Sequence, residues 1–306
     1  MNSNILVVGS INMDLVIKIP RVPMAGENIF GRDFQTIPGG KGANQAVAVA
    51  RLGCKPLLSG RIGRDYFGSI LLKGLRNSGV DTAHVERDAK ASTGLALILI
   101  DQKGENSTVI ATGANGRFST ESALKLRETI DTVDLVLLQL ELPFDAVAEV
   151  IDMARALDKV VVLDAGPPCR RPRSSFFKVT VLTPNEAEAE SLSARSIKDL
   201  KSAREASRYL VNKGPEAVVL KLGEKGSLLT TQNGEKYFPP YRVDVVDTTA
   251  AGDAFSAALS VGIVEGKSLE EAVAFANAAG ALAVTKLGAR PSIPTLAELE
   301  TFLSKS

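Results

Sequence analysis

Five short apolar runs constrain the fold of this 306-residue chain more than any other feature: ILVVG at 5–9, DLVLLQL at 134–140, VVVLD at 160–164, VTVL at 179–182 and AVVLKL at 217–222. Successive side chains of a strand point to opposite faces of a sheet, so a strand that is apolar at nearly every position is covered on both sides. Between the runs lie longer segments with apolar residues at helical spacing, at 42–52, 65–77, 120–130, 144–157, 198–211, 251–265 and 268–286. The last opens on Ser268-Leu-Glu-Glu, a capping box. Alternation of this kind defines β-α-β units around a mostly parallel sheet, the α/β class.

Two stretches break the rhythm. Residues 15–36 and 93–112 carry extended segments and turns but no helix, and the second reads GLALILID, QKGEN, STVIAT, a hairpin pattern. Together they predict a small antiparallel sheet laid over one end of the main body as a lid. A further hairpin is expected around Asn233-Gly234, and no linker is long enough to divide the chain in two.

Charge and composition limit the partners. Thirty-six Lys and Arg against 35 Asp and Glu leave a net charge of +1, so no bulk basic field favours nucleic acid or an acidic membrane surface. A charged ligand has to be caught locally. The absence of a basic leader or a run of about 18 apolar residues argues against export and membrane spanning. Two cysteines, Cys54 and Cys169, form no disulfide framework and no metal spacing, which suggests a reducing, cytoplasmic location.

The stretch DTTAAGDAF at 247–255 ends an extended run where a helix begins. The amides of Ala250, Ala251 and Gly252 are then free at a helix N-terminus, and with the helix dipole they form an anion site. Asp253, in the first turn, is placed to take a proton from a hydroxyl while those amides hold negative charge, the geometry of phosphoryl transfer to an alcohol. A first-turn acid also simply complements the dipole, and this stretch alone leaves both uses open.

Other polar residues cluster at strand ends. TIPGGKGANQAVAVARLG, 36–53, has glycines 39, 40 and 42 before a small-residue helix; it is neither a P-loop nor a dinucleotide fingerprint. Lys41, Asn44 and Gln45 in that Ala/Val-rich setting need partners, and a polyol supplies them. Asn12 and Asp14 follow the first strand, where vicinal sugar hydroxyls suit them. Asn185 and Glu188 in LTPNEAEAE suit Mg²⁺ with retained waters, or a capping box. Glu141 ends an apolar strand, and the lone His84 is expected in a solvated connection. One edge of one sheet is where these residues converge.

With GSINMD, GGKGANQA, TGAN, QLELP, TPNEAEAE and VDTTAAGD in this order, the chain resembles the ribokinase family of carbohydrate kinases from end to end. The resemblance implies one ribokinase-like domain over 1–306, a Rossmann-type three-layer α/β/α sandwich with a small β-sheet lid formed by segments at about 15–40 and 93–114. It implies ATP-dependent phosphorylation of the 5-hydroxyl of D-ribose, and a homodimer joined through the lid. The family's base falls on Asp253 and its anion hole on Ala250, Ala251 and Gly252. Sugar contacts fall on Asn12, Asp14, Gly40, Lys41, Asn44 and Glu141. The nucleotide side falls on Asn185, Lys221, Gly223, Gly226, Gly252 and Asn277, with Glu188 shaping the Mg²⁺ environment. A K⁺ activator maps to Asp247, Thr249, Ala283, Lys286, Gly288 and Ser292, several through main-chain carbonyls. The chain departs from the family pattern at Asp164, where Asn is common, and at Asn277, where some members carry His. Kinases of the same fold acting on deoxyribose, fructose or an adenosine-type nucleoside are the alternatives, and a sugar sensor without catalysis is a further one.

Overall fold

A computed structural model describes residues 3–305. In chain order the strands are β1 (Asn4–Val8), β2 (Asn12–Lys18), β3 (Arg32–Gly39), β4 (Lys55–Gly63), β5 (Asp81–Asp88), β6 (Gly94–Ile100), β7 (Asn106–Ala111), β8 (Leu135–Gln139), β9 (Val160–Asp164), β10 (Val181–Leu182), β11 (Ala217–Lys221), β12 (Ser227–Thr231) and β13 (Gly234–Phe238). The helices are α1 (Lys41–Arg51), α2 (Tyr66–Asn77), α3 (Thr120–Leu124), α4 (Arg127–Thr132), α5 (Phe144–Ala156), α6 (Glu186–Ser193), α7 (Leu200–Val211), α8 (Ala251–Val264), α9 (Leu269–Ala283), α10 (Ala289–Ser292) and α11 (Leu296–Leu303).

The main sheet has nine strands in the order β13-β12-β11-β10-β9-β8-β1-β4-β5. It is parallel from β11 to β5, and β12 and β13 add an antiparallel edge. Period-2 alternation divides its core in two. Ile5, Val7, Leu135, Leu137 and Val219 pack with α1, α2, α8 and α9 on one face. Leu6, Val8, Val136, Leu138 and Val218 pack with α5, α6 and α7 on the other. Both faces are therefore dry, which explains the continuous apolar runs and gives the three layers expected from the sequence.

From β1 the chain moves to β4 and β5 on one side and returns through β8 on the other, so the strand order reverses at β1. In an open α/β sheet such a reversal leaves a crevice beyond the carboxyl ends of the strands. Ser10, Glu141, Asp164, Asn185 and Lys221 all stand at or just past those ends.

Several expectations are corrected. The segment 120–130 is two short helices, because the chain tightens to a bond from the Leu126 amide to the Ala123 carbonyl and turns Leu126 and Ile130 into the core. The segment 179–182 contributes only Val181–Leu182 as strand, and the last long helix ends at Ala283 rather than Lys286. Strands β4 and β5 were not expected, since β4 carries Pro56 and Gly60 and the edge strand β5 is mostly polar. His84 lies on β5, with a ring nitrogen 3.2 Å from Thr129 Oγ1, and not in a solvated connection.

The small sheet has the order β3-β2-β6-β7 and is mixed, not antiparallel: β2 and β6 pair in parallel. The reason lies in the main sheet. β2 continues from β1 and β6 from β5, and since β1 and β5 run the same way, both leave the sheet in the same direction. The predicted hairpins β6-β7 and β12-β13 are present. No helix among the described residues is long and apolar enough to cross a membrane.

Candidate active site

Asp253 is the third residue of α8 and only 5% exposed. Its Oδ2 accepts from Asn44 Nδ2 at 3.0 Å, its Oδ1 accepts from Gln45 Nε2 at 3.1 Å, and Lys41 Nζ lies 3.8 Å from Oδ1. The donors all come from α1, whose packing against α8 fixes the carboxylate. Burial pushes the Asp253 carboxyl above its ordinary range and the nearby Asp164 charge adds to this, against Lys41, Asn44 and Gln45. Gly40 precedes α1 with φ of +89°, and a Cβ there would stand 2.6 Å from the Asn12 amide nitrogen, so the loop crosses at a distance only glycine allows.

Asp164 ends β9 and is fully buried. Its Oδ1 accepts from Lys221 Nζ at 2.8 Å, and its Oδ2 from Gln45 Nε2 at 2.9 Å and Lys41 Nζ at 3.4 Å. Burial alone would raise this carboxyl, but Lys221 and Lys41 hold it below its usual range. Burial alone would likewise pull the Lys41 ammonium down, yet the Asp164, Asp253, Glu141 and Glu188 carboxylates keep it above its ordinary value.

On the other side of Lys41, its amide is 3.5 Å from Glu141 Oε2, which also accepts a short bond from Ser10 Oγ. Asn12 Oδ1 accepts from Asn115 Nδ2 at 2.7 Å, and Asn115 is pinned to the Ile11 backbone at 3.0 and 3.2 Å. Ser10, Asn12, Asn115 and Glu141 line a cavity of about 440 Å³ between the main sheet and the small one. Asp14 sits under Gly39, where a Cβ would meet its carboxylate at 2.2 Å. Burial, with Glu141 nearby, raises Asp14 to about 6, although the Arg290 guanidinium opposes the shift.

A second cavity, of about 730 Å³, is lined by Lys41, Asn185, Glu188, Lys221, Gly223, Gly226, Ala250, Ala251, Gly252, Asp253 and Asn277. This groups the residues expected on the nucleotide side with Asp253. Asn185 and Glu188 form a reciprocal capping box on α6, so the helix-cap use of this pair is what the free protein displays. Glu188 is buried and its carboxyl is raised by that burial, against Lys221 and Lys41. The expected free amides are partly engaged: Ala251 N–H donates to Thr248 O at 3.3 Å, and Ala250 takes a left-handed turn with φ of +61°.

Of the residues expected around K⁺, Asp247, Thr249 and Gly288 are joined by hydrogen bonds, and no side-chain hydrogen bond among the described residues joins Ala283, Lys286 or Ser292 to them. Asp247 Oδ1 accepts from the Thr249 amide and hydroxyl at 2.9 and 2.6 Å, and Oδ2 from the Gly288 amide at 2.8 Å. Val284, after Ala283, accepts the amides of Val246 and Asp247. The Lys286 side chain turns away to Glu298 at 2.6 Å, and the Ser292 hydroxyl is bonded to Ala289 O. Among the described residues no cluster of three or more His, Cys, Asp and Glu could hold a metal, and the donors gathered here are hydroxyl, carboxylate and carbonyl oxygens. Such an all-oxygen set fits a hard cation.

Sequence reasoning did not place Arg290, Ser10 or Asn115 in the site, nor Gln139, whose Nε2 donates to Gln45 Oε1 at 2.5 Å. Arg290 is buried, with its guanidinium 3.5 Å from Asn44 Oδ1 and 3.3 Å from Gly39 O. Nothing in ARPSIP signals that inward turn; Asn115 had its signal in TGAN, at the end of the small-sheet segment.

Residues 2–296 match the pfkB family carbohydrate kinase model, and the chain belongs to this family. It is 38% identical over 301 residues to Bacillus subtilis ribokinase, covering 98% of this chain and 99% of that one. It is 33% identical over 302 residues to a Salmonella typhi deoxyribokinase, covering 98% of this chain and 99% of the relative. Among solved structures, Arabidopsis thaliana ribokinase complexed with ribose and ATP superposes with a TM-score of 0.93 at 34% identity and covers 100% of both chains.

Proposed function

We propose that this protein transfers the terminal phosphoryl group of ATP to the 5-hydroxyl of D-ribose. The observation that carries the reading is Asp253: a buried carboxylate in the first turn of α8, held by Asn44 and Gln45, at the wall of the cavity that Gly252 and Lys221 also line. Likeness to the Bacillus ribokinase and to the Arabidopsis enzyme complexed with ribose and ATP supports the choice of substrates.

In this reading Asn12, Asp14, Gly40, Lys41, Asn44 and Glu141 hold the sugar; Lys41 lines the larger cavity, and its amide reaches Glu141 on the wall of the smaller one. Asn185, Lys221, Gly223, Gly226, Gly252 and Asn277 hold the nucleotide, on the cavity they share. Asp253 takes the proton of the attacking hydroxyl as the phosphorus–oxygen bond to ADP breaks and the new one forms. A carboxyl raised by burial is the stronger base for that step. The amides of Ala250, Ala251 and Gly252 hold the developing charge, Ala251 exchanging its long bond to Thr248 for a phosphate oxygen. Magnesium bound with the nucleotide would supply charge neutralisation on the phosphates, beside Glu188. Asp247, Thr249 and the chain at Ala283, Lys286, Gly288 and Ser292 would hold a monovalent cation.

The small sheet exposes Phe34, Val109 and Ile110, and the loop before β3 exposes Phe30, which suits a homodimer joined through this face, and the buried free thiols of Cys54 and Cys169 suit a cytoplasmic location. Ribose-dependent ADP release by the purified protein tests the reading; a wild-type protein that turns over no ATP with ribose would overturn it. The deoxyribokinase relative at 33% identity favours deoxyribose as the second substrate to try, and a clear preference for it would move the assignment within the same chemistry.

A further inference from the structure

We propose that Lys221 is a catalytic cation for phosphoryl transfer and that the buried Asp164 is the residue that positions it; this rests on the kinase reading above. Lys221 closes β11, with its amide bonded to Pro184 O at 2.8 Å beside Asn185, so its backbone is fixed by the sheet. Its ammonium donates to Asp164 Oδ1 at 2.8 Å and comes 3.7 Å from the point a Cβ on Gly252 would occupy. That places a positive charge beside the helix start at which the anion is expected, on the cavity side. Burying a charge alone is costly, so the covered Asp164 needs a cation beside it. Here Asp164 is wholly covered while 13% of the Lys221 side chain is open and lines the nucleotide cavity.

The placement also says which part of the nucleotide the ammonium serves. Asn277 donates to Ser227 Oγ at 2.9 Å behind that cavity, and Gly223 and Gly226 lie on the turn past β11, whereas Lys221 stands next to Gly252, one residue from Asp253. The group between Gly252 and Asp253 is the phosphoryl in flight. When its bond to ADP breaks, the electron pair stays on the ADP oxygen, the sugar oxygen supplies the pair for the new bond, and the sugar proton passes to Asp253. Lys221 keeps its proton throughout and neutralises the charge growing on the ADP side. Lys41, on the other oxygen of Asp164 and 3.8 Å from Asp253, stands toward the acceptor. One carboxylate thus spaces two ammoniums across the reacting group.

The test is the split between turnover and ground-state binding in Lys221→Met, Asp164→Asn and the double variant D164N/K221M, which leaves neither charge alone and so guards against misfolding. Loss of one such electrostatic partner costs ~10² to 10³ in kcat by analogy with oxyanion donors. K221M should lose about that factor while KM for ribose and ADP affinity by calorimetry change less than about fivefold. D164N should lose less, and D164N/K221M less than the product of the two single losses, since Asp164 acts in part through Lys221 and in part through Lys41 and Gln45. ADP with aluminium fluoride and ribose should bind K221M no tighter than ADP alone, although it tightens on wild type. Unchanged kcat with weakened ADP binding, or additive losses in the double variant, would overturn the inference. Wild-type failure to phosphorylate ribose would instead remove the reading beneath it.

Discussion

Asn44 Nδ2 lies 3.0 Å from Asp253 Oδ2, joining helices whose residues stand 209 positions apart. With Gln45 on the other oxygen at 3.1 Å, α1 fixes the carboxylate proposed as the base. Asp253→Asn should lower kcat by ~10² to 10⁴ while ribose still binds. Both donors favour the ionised form, so Asn44→Leu should raise the Asp253 carboxyl further and move the acid limb of the kcat profile to higher pH. An acid limb that stays in place in N44L would separate Asp253 from the proton transfer.

Asp14 gives a stability test. In the unfolded chain it ionises near its ordinary 3.8, and in the folded protein at about 6, so the folded state binds the extra proton. Ionised Asp14 therefore costs the fold its full penalty above pH 6; the penalty shrinks as pH falls and is gone below the unfolded value. The size is at most about 3 kcal/mol, less the screening its partial exposure allows. Asp14→Asn should be more resistant to urea than wild type at pH 8, equal to it at about pH 3, and poor at binding ribose. Equal resistance at both pH values would show that the carboxyl is not raised.

Two glycines should fail in different ways. At Gly40 a Cβ meets the Asn12 amide at 2.6 Å with φ at +89°, so Gly40→Ala should lower Tm sharply. At Gly252 only Lys221 Nζ approaches, at 3.7 Å, so Gly252→Ala should fold with an unchanged Tm and lose turnover because the methyl enters the proposed anion site. A G252A protein with full activity would clear that helix start of any part in binding anions.

Asp247 and Lys286 allow the proposed cation site to be told from a surface pair. Asp247→Ala removes a carboxylate that joins Thr249 to Gly288 and should flatten the response of kcat to K⁺. Lys286→Ala deletes only a side chain paired with Glu298 and should leave that response as it was. The reverse ranking in a K⁺ titration would move the site elsewhere.

Asn185→Ala should cost about 1 kcal/mol of stability, the ordinary value of an N-cap, because its side chain accepts from the Glu188 amide. A loss of Mg²⁺-dependent turnover larger than the loss of urea stability would add a role in binding to the role in capping.

The strands facing two helical layers were legible because burial on both faces leaves an unbroken apolar run, as in Leu6 against one layer and Val7 against the other. β5 was illegible because an edge strand can stay polar, and its residues from Asp81 to Asp88 look like a connection. Around the candidate site, Asn44 stood out as a polar residue in a small-residue helix, Asp253 by its place beside the free amides of a helix start, and Glu188 by its spacing from Asn185. Arg290 and Asp164 gave no such signal: their importance lies in what they meet, the Asn44 and Gly39 oxygens for one and two lysines for the other. Pairing across more than a hundred positions is a property of topology, not of local pattern.

The parallel pairing of β2 with β6 has a mechanical consequence. Asn12 starts β2 and Gly40 follows β3, so residues expected to hold the sugar are also the pivots on which the small sheet is mounted. A tilt of that sheet would turn Asn12 against Asn115 and pull on the first turn of α1, which carries Lys41 and Asn44. Covering a bound sugar and tensioning the groups around Asp253 would then be one movement, driven from a single pair of joints.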